Sequence, residues 1–137
     1  MSESVRLVMP AKSEYLILAR LALAGIAREV PMSESVLADL KLAVTEACGN
    51  AVQHAYASDY GVVEVRFRID TDRIEIEVVD QGDRTGGEPP PLPTDDMPAE
   101  SGMGLAIIDA VVDELEIEEP GSDGGTVVRM RKRLHPV

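Results

Sequence analysis

Residues 63–79 read "VEVRFRIDTDRIEIEVV". Val63, Val65, Phe67 and Ile69 alternate with Glu64, Arg66 and Arg68, and past Asp70 the alternation resumes as Ile74, Ile76 and Val78 against Glu75 and Glu77. A period of two predicts two strands. A tight turn at Thr71-Asp72 sets Arg68 opposite Glu75 and Arg66 opposite Glu77, and it also pairs Ile69 with Ile74 and Phe67 with Ile76. Both faces agree on this register, whereas a slip of one residue would turn the charges inward. The stretch predicts an antiparallel hairpin with one aliphatic face and one charged face.

Working outward, Val5, Leu7 and Met9 alternate with Arg6 and Val8, which predicts a short strand ended by Pro10. Ser13 is placed to cap a helix running to about Val30, with Leu16, Leu21, Leu23, Ala24 and Ala27 as its apolar surface. Pro31 breaks that helix, and Ser33 or Ser35 can cap a second one ending near Ala57. On this second helix Val36, Leu40, Ala43, Val44, Ala47 and Ala51 cluster on one face at about 100° per residue. From Asp80 to Ser101 the periodicity stops in a segment rich in Gly, Pro and Asp, which reads as a lid or binding loop over about 81–101, or as disorder. Then "GMGLAIIDAVVDEL" predicts a third helix with Leu105, Ile108, Val111 or Val112, and Leu115 facing inward. "LEIEE", the turn "PGSDGG" and "TVVRMRKRL" predict a second hairpin. The sum is a single α+β domain over 1–137, a two-layer sandwich of about three helices on one face of a mixed, mostly antiparallel sheet.

Composition narrows the function classes. Aromatics are 3% of 137 residues while apolar residues are 45%, so the core is aliphatic. The net charge of −12 is unsuited to non-specific nucleic-acid binding, which needs cations on phosphates. It fits a basic protein partner or plain solubility. No apolar run spans a bilayer, and "MSESVRLVMP" shows no basic region leading into an apolar one, so neither a membrane segment nor a secretory signal is expected. The single cysteine, Cys48, excludes an internal disulfide and reads as a small buried thiol. A cytoplasmic location follows as the expectation.

Three segments carry the chemistry. In "TEACGNAVQHAY", residues 45–56, Glu46, Asn50 and His54 recur every four residues beside the apolar stripe, so they border whatever the helix covers. Each alone has a structural reading: a surface glutamate, a turn-bonded asparagine, a core-edge histidine. Gly49 between them weakens a helix by about 1 kcal/mol relative to alanine. Asp80-Gln81-Gly82 stands where a strand runs into the long loop. A carboxylate there can accept the exocyclic amine of adenine, and Gly82 permits close backbone approach; a simple turn explains the string equally well. "SGMGLAII" places Gly102 and Gly104 at a helix start, where outward amides and the dipole suit a phosphate, although glycine there can also be loop punctuation.

Taken in order, E-x-x-x-N-x-x-x-H-A-Y, D-x-G, a long loop and S-G-M-G-L resemble the GHKL ATP-binding fold. Within it they look closest to bacterial anti-sigma-factor serine kinases, and the likeness extends to the terminal "GGTVVRMRK". The resemblance implies ATP or ADP with Mg²⁺ as cofactors. Glu46 would be the general base toward a substrate serine, and Asn50 the Mg²⁺ ligand. Asp80 would read adenine, helped by Thr126, with Gly82, Gly102, Met103, Gly104 and Leu105 lining the nucleotide site. His54 would support the helix, and Arg20 corresponds to a partner-contacting position. Two positions depart from the family pattern: Arg84 replaces a glycine, and Glu100 stands where several relatives have arginine.

The expectation is a switch protein, an anti-sigma factor that sequesters a sigma factor and phosphorylates a serine on its anti-anti-sigma antagonist, with a homodimer implied by the family. The departures motivate an alternative, a non-catalytic module whose nucleotide only gates partner affinity. A histidine kinase catalytic domain fits poorly, because the only histidines are His54 and His135.

Overall fold

The computed structural model describes residues 3–55, 61–81, 100–118 and 126–135. Strand β1 (Glu3–Pro10) leads through a short 3₁₀ turn (Ser13–Tyr15) into helix α1 (Leu16–Glu29), followed by α2 (Glu34–Ala55). The hairpin strands are β2 (Val62–Ile69) and β3 (Arg73–Gln81), and the chain closes with α3 (Glu100–Val111), β4 (Glu114–Glu118) and β5 (Val127–Arg133). The strands form one sheet in the order β1-β2-β3-β5-β4, antiparallel at all four described pairings.

The β2–β3 register is the expected one, Arg66 opposite Glu77, Phe67 opposite Ile76, Arg68 opposite Glu75 and Ile69 opposite Ile74. Its turn is tight: the Asp70 N–H donates to the Arg73 carbonyl at 2.9 Å. The inward residues Met9, Val63, Val65, Phe67, Ile69, Ile74, Ile76, Val78, Val128 and Met130 are buried. They meet Val36, Leu40, Ala43, Val44, Ala47 and Ala51 of α2, Leu23 of α1 and Ile108 of α3 in one core. Each large aliphatic side chain taken from water contributes about 1.5–3 kcal/mol. Cys48 is buried in the same core, and burial pushes its thiol up to about 12, so it stays protonated and unreactive at neutral pH.

Ser33 caps α2, its Oγ accepting the Val36 N–H at 3.2 Å. Ser13 does not cap α1. It falls in the 3₁₀ turn, and the residue before α1 is Tyr15, without a side-chain cap. Two inward assignments also change. Leu21 is 59% exposed, because α1 buries Ala19 and Leu23 while Ile17, Leu18 and Leu21 share the outer side. Leu105 is 39% exposed, since α3 turns Gly104 and Ile108 inward, a pair four residues apart that share one face of a helix of 3.6 residues per turn, and Leu105 lies about 100° round from Gly104. Leu115 packs against the core from β4 rather than from the helix, which ends at Val111.

The sheet's other face is a lattice of ion pairs. Arg131 donates to Glu75, Glu114 and Glu116 at 2.8, 2.9 and 2.9 Å, and Arg129 to Glu116 and Glu118 at 3.0 Å. At the β1–β2 edge Arg6 and Arg66 face each other, and the carboxylate of Glu64 bridges both. Glu64 is 1% exposed although the arginines covering it are 68% and 48% exposed, so it lies one layer beneath solvent. Burial alone would raise its carboxyl, but the two arginine hydrogen bonds and charges outweigh that and hold it below the usual carboxylate range. Positive and negative groups nearly cancel on this face, so most of the excess of 25 acidic over 13 basic residues falls elsewhere on the molecule.

Candidate functional site

The middle of α2 presents Glu46 and Asn50 one turn apart, both half-buried at the border of the core stripe. Their position follows from the stripe itself. Ala47 and Ala51 must face the sheet, so the residues immediately before them fall on the flank that faces α3 rather than on the solvated back. Helix α3 packs against that flank through Gly104, which is buried. A Cβ at Gly104 would stand 3.1 Å from Asn50 Nδ2, 3.3 Å from Asn50 Oδ1 and 3.3 Å from Glu46 Oε2. All three are closer than nine in ten Cβ contacts in proteins. The absent side chain at 104 is therefore what lets a carboxylate and a carboxamide lie side by side against the second turn of α3.

Asp80 is the second element. It is buried near the end of β3, opposite Val63, and its N–H donates to the Thr126 carbonyl at 3.0 Å. Thr126 directly precedes β5, so the strand pairing alone brings the two residues together from 46 positions apart in sequence. Asp80 and the Glu46–Asn50 pair sit on adjacent elements, since α2 packs across β3. A buried carboxylate at a strand end can select a hydrogen-bond donor on a flat ring, while a half-buried amide oxygen and carboxylate on the neighbouring helix suit a cation and a proton.

The other predicted residues are placed as follows. Gly102 and Met103 lie in the first turn of α3, which begins at Glu100, two residues earlier than the glycine pattern suggested. Gly104 is consequently a packing position in the second turn instead of a helix-start amide, and Leu105 points outward. Gly82 and Arg84 lie outside the described residues, as does the body of the expected lid, 82–99. His54 belongs to the last turn of α2. Arg20 is exposed on α1, flanked by Ile17 and Leu21, which are 57% and 59% exposed. Sequence reading saw Leu21 as an apolar neighbour of Arg20 but counted it as covered surface and left out Ile17, because α1 is apolar on most of its circumference and its pattern selects no single face. Gly49 has nothing within 4 Å of where a Cβ would stand, and nothing in the described structure explains its choice.

Among the described residues no group of three or more His, Cys, Asp or Glu is arranged to hold a metal ion, and no helix is long and apolar enough to cross a membrane. A divalent cation at Asn50 would take further oxygen ligands from water or from a bound anion.

A profile of the histidine kinase-like ATPase domain matches residues 9–132. The chain is 40% identical over 144 residues to a protein of Bacillus licheniformis named Serine-protein kinase RsbW, covering 98% of this chain and 88% of that protein. The protein of the same name in Bacillus subtilis strain 168 is 36% identical over 143 residues, with the same coverage of 98% and 88%. In structure, the chain is similar to the crystal structure of the RsbU and RsbW domains of Rv1364c from Mycobacterium tuberculosis, with a TM-score of 0.72 and 24% identity. That likeness covers 96% of this chain and 32% of the other, and at such identity it speaks to the fold.

Proposed function

The chain belongs to the histidine kinase-like ATPase family, and from that membership we propose that it is an ATP-dependent protein-serine kinase that also sequesters a sigma factor. The kinase assignment takes its support from relatives named serine-protein kinases at 36–40% identity over nearly the whole chain. The single observation that carries the chemistry is the convergence of Glu46, Asn50 and Gly104.

Each residue has a role. Glu46 accepts the proton of the substrate serine hydroxyl as that oxygen becomes the nucleophile. Asn50 offers its carbonyl oxygen to Mg²⁺. When bound, ATP with Mg²⁺ would supply the phosphoryl group and neutralise charge on the phosphates. Asp80 accepts the adenine amine, and Thr126 stands beside it; Gly82, Gly102, Met103, Gly104 and Leu105 complete the nucleotide site. With base and metal ligand fixed on one rigid helix, little reorganisation remains for the reaction, which suits a transfer dominated by positioning.

Arg20, with the exposed Ile17 and Leu21, forms the partner surface on α1. Arginine is among the residues enriched at interface hot spots, and the apolar side chains around Arg20 can exclude water from its contact. The partners in this reading are a sigma factor and its anti-anti-sigma antagonist, the antagonist carrying the phosphorylated serine. The protein acts in the cytoplasm as a homodimer of single-domain chains.

The test is direct. The protein, Mg²⁺ and labelled ATP are incubated with the cognate antagonist, and the product is examined for phosphoserine. Label on the antagonist is the expected outcome. Tight binding of nucleotide and sigma factor with no phosphoserine would leave only a nucleotide-gated binding module.

A further inference from the structure

The beginning of β3 and the end of β5 border a concavity. An open cleft of about 520 Å³ is lined there by Arg73, Asp113, Glu114, Arg131, Lys132 and Arg133. Arg73 lies seven residues before Asp80 on β3, which at about 3.4 Å per residue places the two about 24 Å apart. The cleft is thus separate from the nucleotide end of the sheet. Four cations against two carboxylates give it a local positive excess on a chain of net charge −12.

Most of the lining charges are used within the fold. The Arg131 guanidinium is spread over Glu75, Glu114 and Glu116. Lys132 Nζ donates to the Val111 carbonyl at 2.7 Å and lies 3.4 Å from Asp39. Asp113 accepts the backbone N–H of Arg133 at 2.7 Å. The guanidinium groups of Arg73 and Arg133 are the exceptions. Arg73 reaches only the exposed Asp72 at 4.0 Å, and among the described residues the Arg133 side chain makes no ion pair or hydrogen bond.

Yet the β3–β5 register sets Arg73 directly opposite Arg133. Directly opposed side chains have Cβ atoms about 4.5–5.5 Å apart, and like charges so placed destabilise the pairing. The sheet contains another such pair, Arg6 opposite Arg66, and there the fold supplies Glu64 to bridge them. At the Arg73–Arg133 end no carboxylate of the described residues bridges the two, and both residues line the cleft. We propose that the cleft binds a phosphate-class oxyanion, held between the guanidinium groups of Arg73 and Arg133. A compact oxyanion accepts hydrogen bonds from two planar forks at once, which suits arginine better than lysine. Val36, in the first turn of α2, also lines the cleft.

The test is a titration of the full chain with sodium phosphate, followed by amide heteronuclear NMR, with sodium chloride at equal ionic strength as reference and free phosphoserine as a second arm. Saturable shifts centred on the amides of Arg73, Asp113 and Arg133 are expected. The Arg73→Gln/Arg133→Gln double variant should bind about tenfold more weakly or worse. Because that variant removes a like-charge pair, its thermal midpoint should be no lower than wild type, which separates lost binding from lost fold. A response to phosphoserine alone identifies the occupant as a phosphomonoester, and a response to inorganic phosphate identifies the free ion. Shifts no larger than those in chloride, shifts confined to Asn50 and Gly104, or equal affinity in the double variant would overturn the proposal.

Discussion

Replacing Gly104 with alanine adds one carbon at the point where α3 presses on Glu46 and Asn50. That carbon would stand 3.1–3.3 Å from Asn50 and Glu46, whereas ordinary contact begins at 3.4 Å, so both side-chain ends must give by a few tenths of an ångström. They are flexible side chains, and alanine in a helix gains about 1 kcal/mol over glycine. The fold should therefore stay within about 1 kcal/mol of wild type. Catalysis is less tolerant, because a misplacement of about 1 Å can cost about a hundredfold. A shift a third as large then predicts a loss of roughly fivefold to tenfold in the rate of phosphoryl transfer. Gly49→Ala is the matched control: the same carbon meets nothing within 4 Å, so stability should rise by up to about 1 kcal/mol with transfer unchanged. Urea midpoints and single-turnover transfer would be measured on both variants. If Gly104→Ala transfers phosphate at the wild-type rate while Gly49→Ala does not, the reasoning from this contact fails.

Three further outcomes follow from the same geometry. Glu64→Gln leaves Arg6 opposite Arg66 with its bridge weakened, and because the arginines are 68% and 48% exposed the expected loss is about 1–2 kcal/mol in urea unfolding; an unchanged midpoint would show the bridge to be ornamental. Burial opposes ionisation of Glu64 and Glu75, but arginine hydrogen bonds win and hold both carboxyls below their ordinary 4.5, so the stability they contribute is full above that pH and drains away as pH falls below it. Thermal midpoints that stay flat from about pH 5 to about pH 3 would contradict this sign. Leu21→Ala on the open side of α1 should change stability by less than about 0.5 kcal/mol, yet weaken sigma-factor binding about tenfold by calorimetry if the Arg20 surface is the interface; equal affinity would move the interface elsewhere.

The central hairpin was legible because two independent patterns, charge and hydrophobicity, specify one register, and the structure has that register at every pair. The core face of α2 was legible for the same reason: six apolar residues at helical spacing admit one inward side. Helix α3 was misread at Leu105 for a physical reason. Its inward slot is filled by Gly104, which carries no hydrophobic signal, so the pattern assigned that slot to the neighbouring Leu105. Leu21 was misassigned because α1 is apolar nearly all round, and only packing decides which leucines are covered. In the candidate site, the spacing of Glu46 and Asn50 was visible on one helix. That Gly104 touches both was not, since it depends on how α3 packs on α2 from more than fifty positions away. The cross-strand pair Arg73–Arg133 likewise exists only once β3 and β5 are paired.

The account turns on Glu46 acting as the proton acceptor beside Asn50. Single-turnover transfer from ATP to the antagonist's serine, with Mg²⁺ and nucleotide saturating, should be slowed about a hundredfold to ten-thousandfold in Glu46→Gln, with nucleotide affinity unchanged. Phosphoserine appearing at the wild-type rate in that variant would show that some other group removes the proton, and the role drawn from this helix would be wrong.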